Sequence, residues 1–579
     1  MSLIFLKPQE PLWVYPVINQ EWVKTIIGEF NVHPVIAQIL AARGLKSLEE
    51  IHNFLYAKLP NLLEPSLFRD MDKAVERIAK ALQSQENILI YGDNDVDGMT
   101  ATALLVEFLR KVGGNIFFFI PGSKIQKKEI ISDAIEFATN HKCTLLITVD
   151  CGTTAANEIA DVIKHNIDVI VTDHHEPTSK IPNCTAVLNP KLSNNTYPNR
   201  EITGVGVAFK LAHALTNHLI VDGDMGSKNI DLKNYLDLVA LGTIADMGAL
   251  NAENRILVRY GLKQLKKTRR IGLLKLFHIS DVNVNNLMPI DIATKIAPKL
   301  NSLGRIADPK KGVDILLTKN EEEAADLAHE LNVYNAERQK IEKRAADDID
   351  DYINANPQIL NDKALALHSD KWHPGIIPII AAKIVKQFNR PAMLIATEKG
   401  LGKGSLRTIA EFSLLPILKQ NENILINFGG HDFAAGLTVK EENIEELKKN
   451  FINAANIALK DEDLIPKLLL DAEVKFDDMT FDFMEALNLL EPYGNGNPSP
   501  ILYTDALQTW PPKIIGQYHL KLYLEQSERI LEGIGFGMAN RQKQLKKKNQ
   551  KLRIAFTPHV NIFLNKSSIQ LHIKDFQAL

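Results

Sequence analysis

The stretch that decides the fold is Val169-Ile170-Val171-Thr172-Asp173-His174-His175-Glu176-Pro177, in which an apolar run stops on an acid and two histidines. We interpret the apolar residues as a buried strand that delivers Asp173, His174 and His175 to its C-terminal end. Because carboxylate and imidazole groups are common metal ligands, this pattern indicates a metal site. By itself it also fits a strand that ends in solvated polar residues, which is the commoner case.

Two other apolar stretches end in carboxylates in the same way. The strand predicted at 88–91 runs into an acidic loop at 92–98, and the strand predicted at 144–149 runs into Asp150. In an open α/β sheet the ligand site lies outside the carboxyl ends of the parallel strands, so the three ends converge. Carboxylates held close together repel one another and need cations. The three stretches together therefore predict a metal centre.

Composition limits the class of protein. The chain has 579 residues, and a hydrophobic content of 45% is enough for the cores of about three domains. The net charge of −3 argues against a general attraction to nucleic acid, so any polyanion must be bound by a local basic surface. Three cysteines without a CxxC pair, no signal peptide and no apolar run near the ~18 residues of a membrane span lead us to expect a cytoplasmic protein.

The first half of the chain is predicted to contain one α/β domain. Residues 1–85 are expected to form a helical lead-in packed on the core, which ends in an amphipathic helix at 71–83. Between 86 and 318 strands alternate with helices, which is typical of a parallel sheet covered on both faces. A fourth apolar stretch, at 235–245, ends in the carboxylate of Asp246.

The second half is predicted to contain a connecting helix and two further domains. Residues 319–355 lack proline and glycine and are mostly polar, so they form either a strut between domains or a plain surface helix. A smaller α/β domain is expected at 356–460. From 467 to 579 short alternating strands predict a small β-barrel. The basic run at 541–553 is either a solvated face or a track for a phosphate backbone.

The four acidic stretches, in this order and spacing, resemble the motifs of the DHH phosphoesterase family. The second α/β domain resembles the DHH-associated domain, DHHA1, of the same family. Two further segments are similar to the branch of the family that degrades single-stranded DNA, and the second of them introduces an OB-fold domain. The stretches are YGDNDVDG at 91–98, VDCG at 149–152, TDHHEP at 172–177, LGTIAD at 241–246, WHPG at 372–375, GSLR at 404–407, GGHDFAAG at 429–436, PKLNSLGR at 298–305 and EPYGNGNP at 491–498.

The resemblance implies a fold and an activity. It implies a parallel-sheet DHH domain and a smaller α/β DHHA1 domain joined by a long helix, followed by an OB-fold barrel. The implied enzyme is a 5′→3′ exonuclease specific for single-stranded DNA, which releases 5′-mononucleotides by two-metal hydrolysis in DNA repair and recombination. It implies Mn²⁺ or Mg²⁺ as two bound ions, a RecQ-type helicase and a single-stranded-DNA-binding protein as partners, and a monomer. The alternatives are a nano-RNase or cyclic-dinucleotide phosphodiesterase, and a non-catalytic replication scaffold.

The resemblance also implies which residues form the site. We expect Asp150 to bridge the two ions and Asp173 to orient a histidine through a hydrogen bond. His431, in a glycine-rich turn of the second domain, is expected to stabilise developing charge. The expected metal ligands are Asp93, Asp95, Asp97, Asp150, His174, His175 and Asp246, and the expected catalytic residues are Asp95, Asp97, Asp150, His174, His175, Asp246 and His431.

A second group of residues is expected to bind DNA or its terminal phosphate. Ser405 and Arg407 supply a hydroxyl and a guanidinium, and Arg305 completes the pocket. The alternative is that Arg407 forms an ion pair with a carboxylate at the domain interface. Lys124 stands where the family carries an arginine and is expected to contact phosphate. The expected DNA-binding and phosphate-binding residues are Arg305, Ser405, Arg407, Lys124, Asn301, Trp372 and His373.

Overall fold

The computed structural model describes residues 10–122, 127–221, 230–545, 549–563 and 566–579. The described residues divide into two compact units, one formed by 59–464 and the other by 10–58 together with 465–579. The first unit contains both predicted α/β domains. The second contains the predicted barrel.

The first domain is built on a sheet of five parallel strands. In spatial order these are Asn115–Phe119, Asn87–Gly92, Cys143–Val149, Asp168–Thr172 and Ala186–Leu188. Their central residues are apolar and buried on both faces, as expected of parallel strands covered by helices. The strand order reverses between Asn87–Gly92 and Cys143–Val149. Ligands bind at such a switch point in open α/β sheets.

The register of the sheet aligns the strand ends. Gly92 pairs with Val149, Val149 with Thr172, and Thr172 with Leu188. The residue after each of three strands extends this alignment by one position. The N–H groups of Asp93, Asp150 and Asp173 donate to the carbonyl oxygens of Val149, Thr172 and Leu188 on the neighbouring strands. The row at the carboxyl edge therefore reads Asp93, Asp150, Asp173 and Asn189.

Helices cover this sheet and extend the domain. Val96–Lys111 is apolar around most of its circumference and is buried almost completely, as expected of a helix at the centre of a core. The fourth apolar stretch is a helix, Leu236–Ala245, and it ends at Asp246. The other helices are Met71–Gln83, Lys127–Asn140, Ala156–Ile163, Gly204–Val221, Ala252–Leu265, Ile271–Ile279, Ala297–Ile306 and Lys310–Leu317.

The predicted connecting helix spans Glu321–Ala355. Its first half packs on the core of the first domain through Ala328 and Leu331, and its second half packs on the second domain through Ile349 and Ile353. The buried positions recur every three or four residues along the helix. The helix therefore joins the two domains as predicted, and one of its faces is packed throughout its length.

The second domain has a mixed five-stranded sheet. In spatial order its strands are Leu425–Gly430, Ala434–Lys440, Leu401–Arg407, Ala392–Glu398 and Leu365–Ser369, and the last two are parallel. Its helices are Ile377–Phe388, Leu415–Gln420 and Ile444–Ala458.

The second unit is a barrel to which N-terminal helices are added. Its seven-stranded sheet is closed by pairing between Leu502–Gln508 and His519–Gln526. Strand Leu12–Val14 pairs in parallel with Lys467–Leu469. The remaining elements are helices Gln20–Phe30, Pro34–Ala42, Leu48–Tyr56 and Phe481–Leu487, and strands Ala472–Glu473, Lys513–Ile515, Arg529–Gly535, Gln550–Phe563 and Lys566–Ala578.

The N-terminal stretch differs from its prediction. Residues 1–85 were expected to form one lead-in on the core of the first domain, but the apolar faces of the helices at 20–56 pack into the barrel core. Only the part from 59 onwards, including Met71–Gln83, packs on the first domain. In the described part of the chain no helix has the length and hydropathy needed to cross a membrane.

Candidate metal centre and phosphate-binding residues

The carboxylate of Asp150 lies at the centre of the predicted site. Its side chain is only 1% exposed, and its backbone adopts the left-handed conformation with φ of 61°. Such a conformation costs about 1–3 kcal/mol for a residue other than glycine and is found mainly at functional sites. It turns the chain sharply after strand Cys143–Val149 and directs the carboxylate under the start of helix Gly204–Val221.

Glycine at position 204 makes this arrangement possible. A Cβ atom added there would lie 2.4 Å from Oδ1 of Asp150 and 2.6 Å from its Cβ and Cγ. The N–H groups of Gly204 and Val205 donate to Asp97 at 2.7 and 2.9 Å. The beginning of this helix therefore packs against one carboxylate and hydrogen-bonds another.

The loop after strand Asn87–Gly92 carries two more acids of the centre. Asp95 caps helix Val96–Lys111 by accepting from the N–H of Gly98 at 3.0 Å. Asp97 lies in the first turn of the same helix and is 1% exposed. Asn301 accepts from the N–H of Val96 at 3.2 Å, so this predicted DNA-binding residue holds the acidic loop in place.

His174 connects carboxylates from three different elements. Its Nε2 atom lies 3.0 Å from Asp150, 3.7 Å from Asp246 and 3.8 Å from Asp97. Burial, together with the positive charge of His175, lowers the pKa of His174 to about 3. A neutral imidazole with a free nitrogen is the form that binds metal.

His175 has a different environment. Its Nδ1 lies 2.8 Å from Oδ1 of Asp173, as expected from the sequence. Asp173 also accepts from the N–H groups of Thr153, His174 and His175. Although burial opposes it, the bond to Asp173 raises the pKa of His175 to about 9. The Asp173 carboxylate thus fixes the ring orientation through Nδ1. To bind a metal, Nε2 of His175 would have to release the proton that the raised pKa keeps on the ring.

The remaining carboxylates carry strongly perturbed pKa values. Burial and the charge of Asp95 raise the pKa of Asp93 to about 6 and that of Asp246 to about 7. Burial and neighbouring carboxylates also raise the pKa values of Asp97 and Asp150 well above the usual range. Burial is the largest cause of these shifts and repulsion between the carboxylates adds to it, and a bound cation would offset both.

The donor set fits divalent metal ions. Potential ligand atoms form three groups, each within 4.8 Å, made of Asp150, His174 and His175, of Asp97, His174 and Asp246, and of Asp93, Asp95 and Asp150. Oδ1 of Asp150 is buried and accepts no well-formed hydrogen bond among the described residues, although Nε2 of His174 lies 3.0 Å from it. A carboxylate oxygen and an unprotonated ring nitrogen both offer lone pairs, so neither satisfies the other. Since a buried carboxylate oxygen needs a partner, a cation is the group that this atom lacks. The seven predicted ligands therefore come together in one centre.

His431 faces this centre from the second domain. It lies in the turn between strands Leu425–Gly430 and Ala434–Lys440, and its ring is nearly parallel to that of His175, with the ring centres 6.5 Å apart. Burial and the charges of Lys191 and His175 lower the pKa of His431. The predicted catalytic histidine is therefore adjacent to the metal centre.

Ser405 and Arg407 lie on one face of strand Leu401–Arg407. Nη1 of Arg407 donates to Oγ of Ser405 at 3.2 Å and to the carbonyl of Leu406 at 2.7 Å. Residues opposite them on the adjacent strand are small, namely Gly436 and Ala434. Among the described residues no carboxylate lies within 4 Å of Arg407, so the alternative of an ion pair at the domain interface receives no support.

Arg305 lies near this pair. Its Nη1 donates to the carbonyl of Gly375 at 2.7 Å, which links the first domain to the second. Burial and the charges of Arg338 and Arg407 lower the pKa of Arg305, while the charges of Asp95 and Glu342 oppose this shift. Such a cluster attracts an anion. Lys124 lies outside the described residues.

Trp372 and His373 have mainly structural contacts. The Trp372 ring is 6% exposed in the core of the second domain, and its Nε1 donates to Asp348 on the connecting helix at 2.8 Å. Nδ1 of His373 accepts from the N–H of Gly375 at 3.1 Å. Because Trp372 is almost completely buried, it offers little surface to DNA, and its role in DNA binding stays a prediction.

Three residues of the site were not predicted from the sequence. Gly204 permits the burial of Asp150, while Asn189 and Lys191 follow the strand Ala186–Leu188 at the same edge of the sheet. The signal for the last two was the apolar run before Asn189, which resembles the runs before Asp93, Asp150 and Asp173.

The barrel carries a row of rings on its outer surface. Phe536 is 56% exposed and makes edge contacts with His519 and His572, with ring centres 5.2 and 5.1 Å apart. His559 stacks on His572 at 4.7 Å. We call these four residues the ring row. Flat rings of this kind can stack with nucleic-acid bases.

The basic run of the barrel is partly occupied by internal ion pairs. Arg541 pairs with Asp575 and lies over the ring of Phe576, and Arg553 pairs with Asp505 at 2.7 Å. Lys546, Lys547 and Lys548 lie outside the described residues. The two arginines at the ends of the run thus stabilise the barrel.

Sequence comparison assigns all three domains to known families. The DHH family, N-terminal domain, matches residues 87–243, the DHHA1 domain matches 361–457, and the RecJ OB domain matches 470–575. These matches confirm the fold class inferred from the sequence.

Curated relatives and solved structures agree with this assignment. The chain is 33% identical to the single-stranded-DNA-specific exonuclease RecJ of Bacillus subtilis, over 97% of this chain and 70% of the relative. It is 31% identical to RecJ of Dickeya dadantii, over 94% and 96%. The structure superposes on RecJ of Thermus thermophilus in complex with Mn²⁺ with a TM-score of 0.81 and 27% identity, covering 98% of this chain and 79% of the other. The Mg²⁺ complex gives a TM-score of 0.75 at 25% identity, covering 98% and 78%.

Proposed function

This chain belongs to the RecJ family of single-stranded-DNA-specific exonucleases, and we propose that it hydrolyses single-stranded DNA from the 5′ end and releases 5′-mononucleotides. The observation that carries the proposal is the convergence of five aspartates and two histidines at the switch point of the parallel sheet. The RecJ OB domain favours a DNA substrate over the small substrates of shorter relatives. An oligonucleotide labelled at either end, incubated with and without Mn²⁺, tests the substrate, the direction and the metal requirement.

The residues of the centre are proposed to have three different roles. Asp93, Asp95, Asp97, Asp150, His174, His175 and Asp246 would hold two divalent ions, which supply an activated water and stabilise the leaving 3′ oxygen. Asp173 keeps His175 oriented through its 2.8 Å contact. His431, next to His175, is placed to donate a hydrogen bond to the phosphate as charge develops on it.

We also propose a cellular context in line with the family. The enzyme would act in the cytoplasm in DNA repair and recombination, as a monomer, with a RecQ-type helicase that supplies single strands and a single-stranded-DNA-binding protein that covers them. The three cysteines are free and at least partly buried, which suits a reducing compartment. The partnership is tested by adding the purified helicase, or the purified single-stranded-DNA-binding protein, to the exonuclease and double-stranded DNA. The exonuclease alone should leave the duplex intact.

Arg407 is proposed to recognise the 5′-terminal phosphate together with Ser405 and Arg305. Arg407→Ala should cost about 1.5–3 kcal/mol of recognition, the usual worth of a charged hydrogen bond, and only on 5′-phosphorylated strands. The measurement is kcat/KM on 5′-phosphate and 5′-hydroxyl strands of one sequence. Arg344→Ala, an exposed arginine of the connecting helix, serves as the matched control. Equal losses on both strands would remove Arg407 from end recognition.

The barrel is proposed to hold the strand through the ring row and nearby basic groups. Because residues 10–58 share the barrel core, the deletion that tests this role must remove 1–58 together with 465–579. The remaining chain should bind long strands more weakly and with a smaller salt dependence, but should still cleave very short oligonucleotides at nearly the original rate. Binding and cleavage are compared on strands of about 3 and about 40 nucleotides, below and above the site size of about 4–16 nucleotides of an OB fold. A similar loss on both lengths would indicate that the barrel has a structural role only.

A further inference from the structure

Lys191 is anchored directly to the metal centre. Its N–H donates to Oδ1 of Asn189 at 2.8 Å, and Nδ2 of Asn189 donates to the carbonyl of His175 and to the hydroxyl of Thr153, both at 2.9 Å. Asn189 is fully buried. The backbone of Lys191 is therefore held at a fixed distance from the turn that carries His174 and His175.

The side chain of Lys191 is unusually enclosed for a lysine. It is 12% exposed, whereas the side chain of Lys164 in a surface ion pair is 72% exposed. Its ammonium lies 3.2 Å from Oε1 of Glu176, whose side chain is half exposed and which directly follows His175. The charge is thus kept at the mouth of the centre by a carboxylate that is free to move into solvent.

Residues of both domains experience this charge. The ammonium is the first influence after burial that lowers the pKa of His431 in the second domain. It also lowers the pKa values of His174 and Asp246, although burial and other charges have larger effects on both. Lys191 therefore lies among groups that surround the substrate under the proposed function.

The net charge of the metal centre favours an additional cation such as the ammonium of Lys191. Asp93, Asp95, Asp97, Asp150 and Asp246 carry five negative charges when ionised, and two divalent ions supply four positive ones. The centre then remains negative, and each DNA phosphate adds another negative charge. A lysine ammonium is a compact point charge that suits a phosphate oxygen.

We propose that Nζ of Lys191 binds a phosphate of the DNA strand at the metal centre, and that Glu176 holds the ammonium until the phosphate replaces it. This inference rests on the proposed nuclease function. The competing explanation is an ion pair that only supports the fold. The two explanations predict opposite effects of neutralising Glu176 on DNA affinity. If Glu176 competes with the phosphate for the ammonium, its removal strengthens DNA binding. If the ion pair only supports the fold, its removal weakens the site.

The experiment compares four variants of the full chain: Lys191→Met, Lys191→Arg, Glu176→Gln and Lys180→Met. Lys180 is an exposed lysine of the loop that carries Glu176, and it controls for the loss of one positive charge. The measurements are kcat/KM with Mn²⁺ on a short 5′-phosphorylated strand, and equilibrium binding of the same strand in EDTA, each between about 50 and 200 mM salt. Thermal melting confirms that each variant is folded.

Lys191→Met should lower kcat/KM about tenfold to a hundredfold, while Lys180→Met changes it less than about twofold. In EDTA the loss of one phosphate contact should reduce the salt slope by about 0.7, so that the fall in affinity across this salt range becomes about 2.6-fold smaller. Lys191→Arg should retain the slope because it keeps the charge. Glu176→Gln should bind the strand more tightly, by about twofold to fivefold at about 50 mM salt.

An unchanged salt slope in Lys191→Met, or weaker binding by Glu176→Gln, would overturn the proposal. If Lys191→Met does not fold, the direction of the Glu176→Gln effect decides. Failure of the proposed function would look different, because the unaltered chain would then cleave no single-stranded DNA with Mn²⁺.

Discussion

Replacing Asp150 with alanine is expected to reduce DNA hydrolysis by about a thousandfold or more while the fold remains intact. This carboxylate belongs to two of the three candidate ligand groups, so its loss affects both ion positions. Stabilisation by metal ions is worth several kcal/mol, and each 1.36 kcal/mol corresponds to about tenfold in rate. Single-turnover rates with Mn²⁺ and circular dichroism provide the measurement.

Asp150→Asn is the matched variant for this prediction. Asparagine tolerates the left-handed backbone that φ of 61° requires, whereas alanine pays about 1–2 kcal/mol for it. Both variants remove a charge that is repelled by Asp97, Asp95 and Asp93. In EDTA the melting temperature of the asparagine variant should therefore be a few degrees higher than that of the unaltered chain. The alanine variant should melt near the temperature of the unaltered chain, because its backbone cost offsets the relief of repulsion. A rate above about a tenth of the original in either variant would contradict the assignment of Asp150.

Gly204→Ala is expected to lower kcat about a hundredfold although residue 204 offers no ligand. The new methyl group would lie 2.4 Å from Oδ1 of Asp150 and force this carboxylate to move. Asp150 cannot retreat easily, because its side chain is buried and its backbone is already strained. A displacement of about 1 Å in a catalytic group commonly costs about a hundredfold in rate.

The control for this substitution is Gly28→Ala, in the helix Gln20–Phe30. A Cβ atom there has no neighbour within 4 Å, so activity should stay unchanged and stability should rise by about 0.5–1 kcal/mol. The measurements are kcat, the apparent Mn²⁺ affinity and the melting temperature. Full activity in Gly204→Ala would show that the carboxylate tolerates displacement, and the close packing would then have no catalytic importance.

Much of the site was predictable because parallel strands give a simple rule. Apolar runs that stop on Asp93, Asp150 and Asp173 had to end at one edge, and the register of the sheet aligns these three residues. The same rule does not apply to Asp246, which ends a helix. Its apolar run is buried on all sides, and hydropathy alone does not distinguish such a helix from a buried strand.

Other features depend on tertiary contacts that leave no local pattern. The left-handed backbone of Asp150 and the role of Gly204 arise from packing between segments 54 residues apart in the sequence. Trp372 is the first residue of the motif at 372–375, but its burial depends on the connecting helix. The helices at 20–56 have apolar faces that fit either core, and their sequence does not indicate which one they join.

The pairing of Leu12–Val14 with Lys467–Leu469 has a consequence for biosynthesis. The two strands are 455 residues apart, and the ribosome adds roughly 5–20 residues per second. The N-terminal segment therefore waits roughly 20–90 s for its partner strand, during which the apolar faces of its three helices are uncovered. The first unit can complete its core in the meantime. This nascent chain is thus expected to need a holding chaperone at its N-terminal 58 residues, while the nuclease domains behind them are already folded.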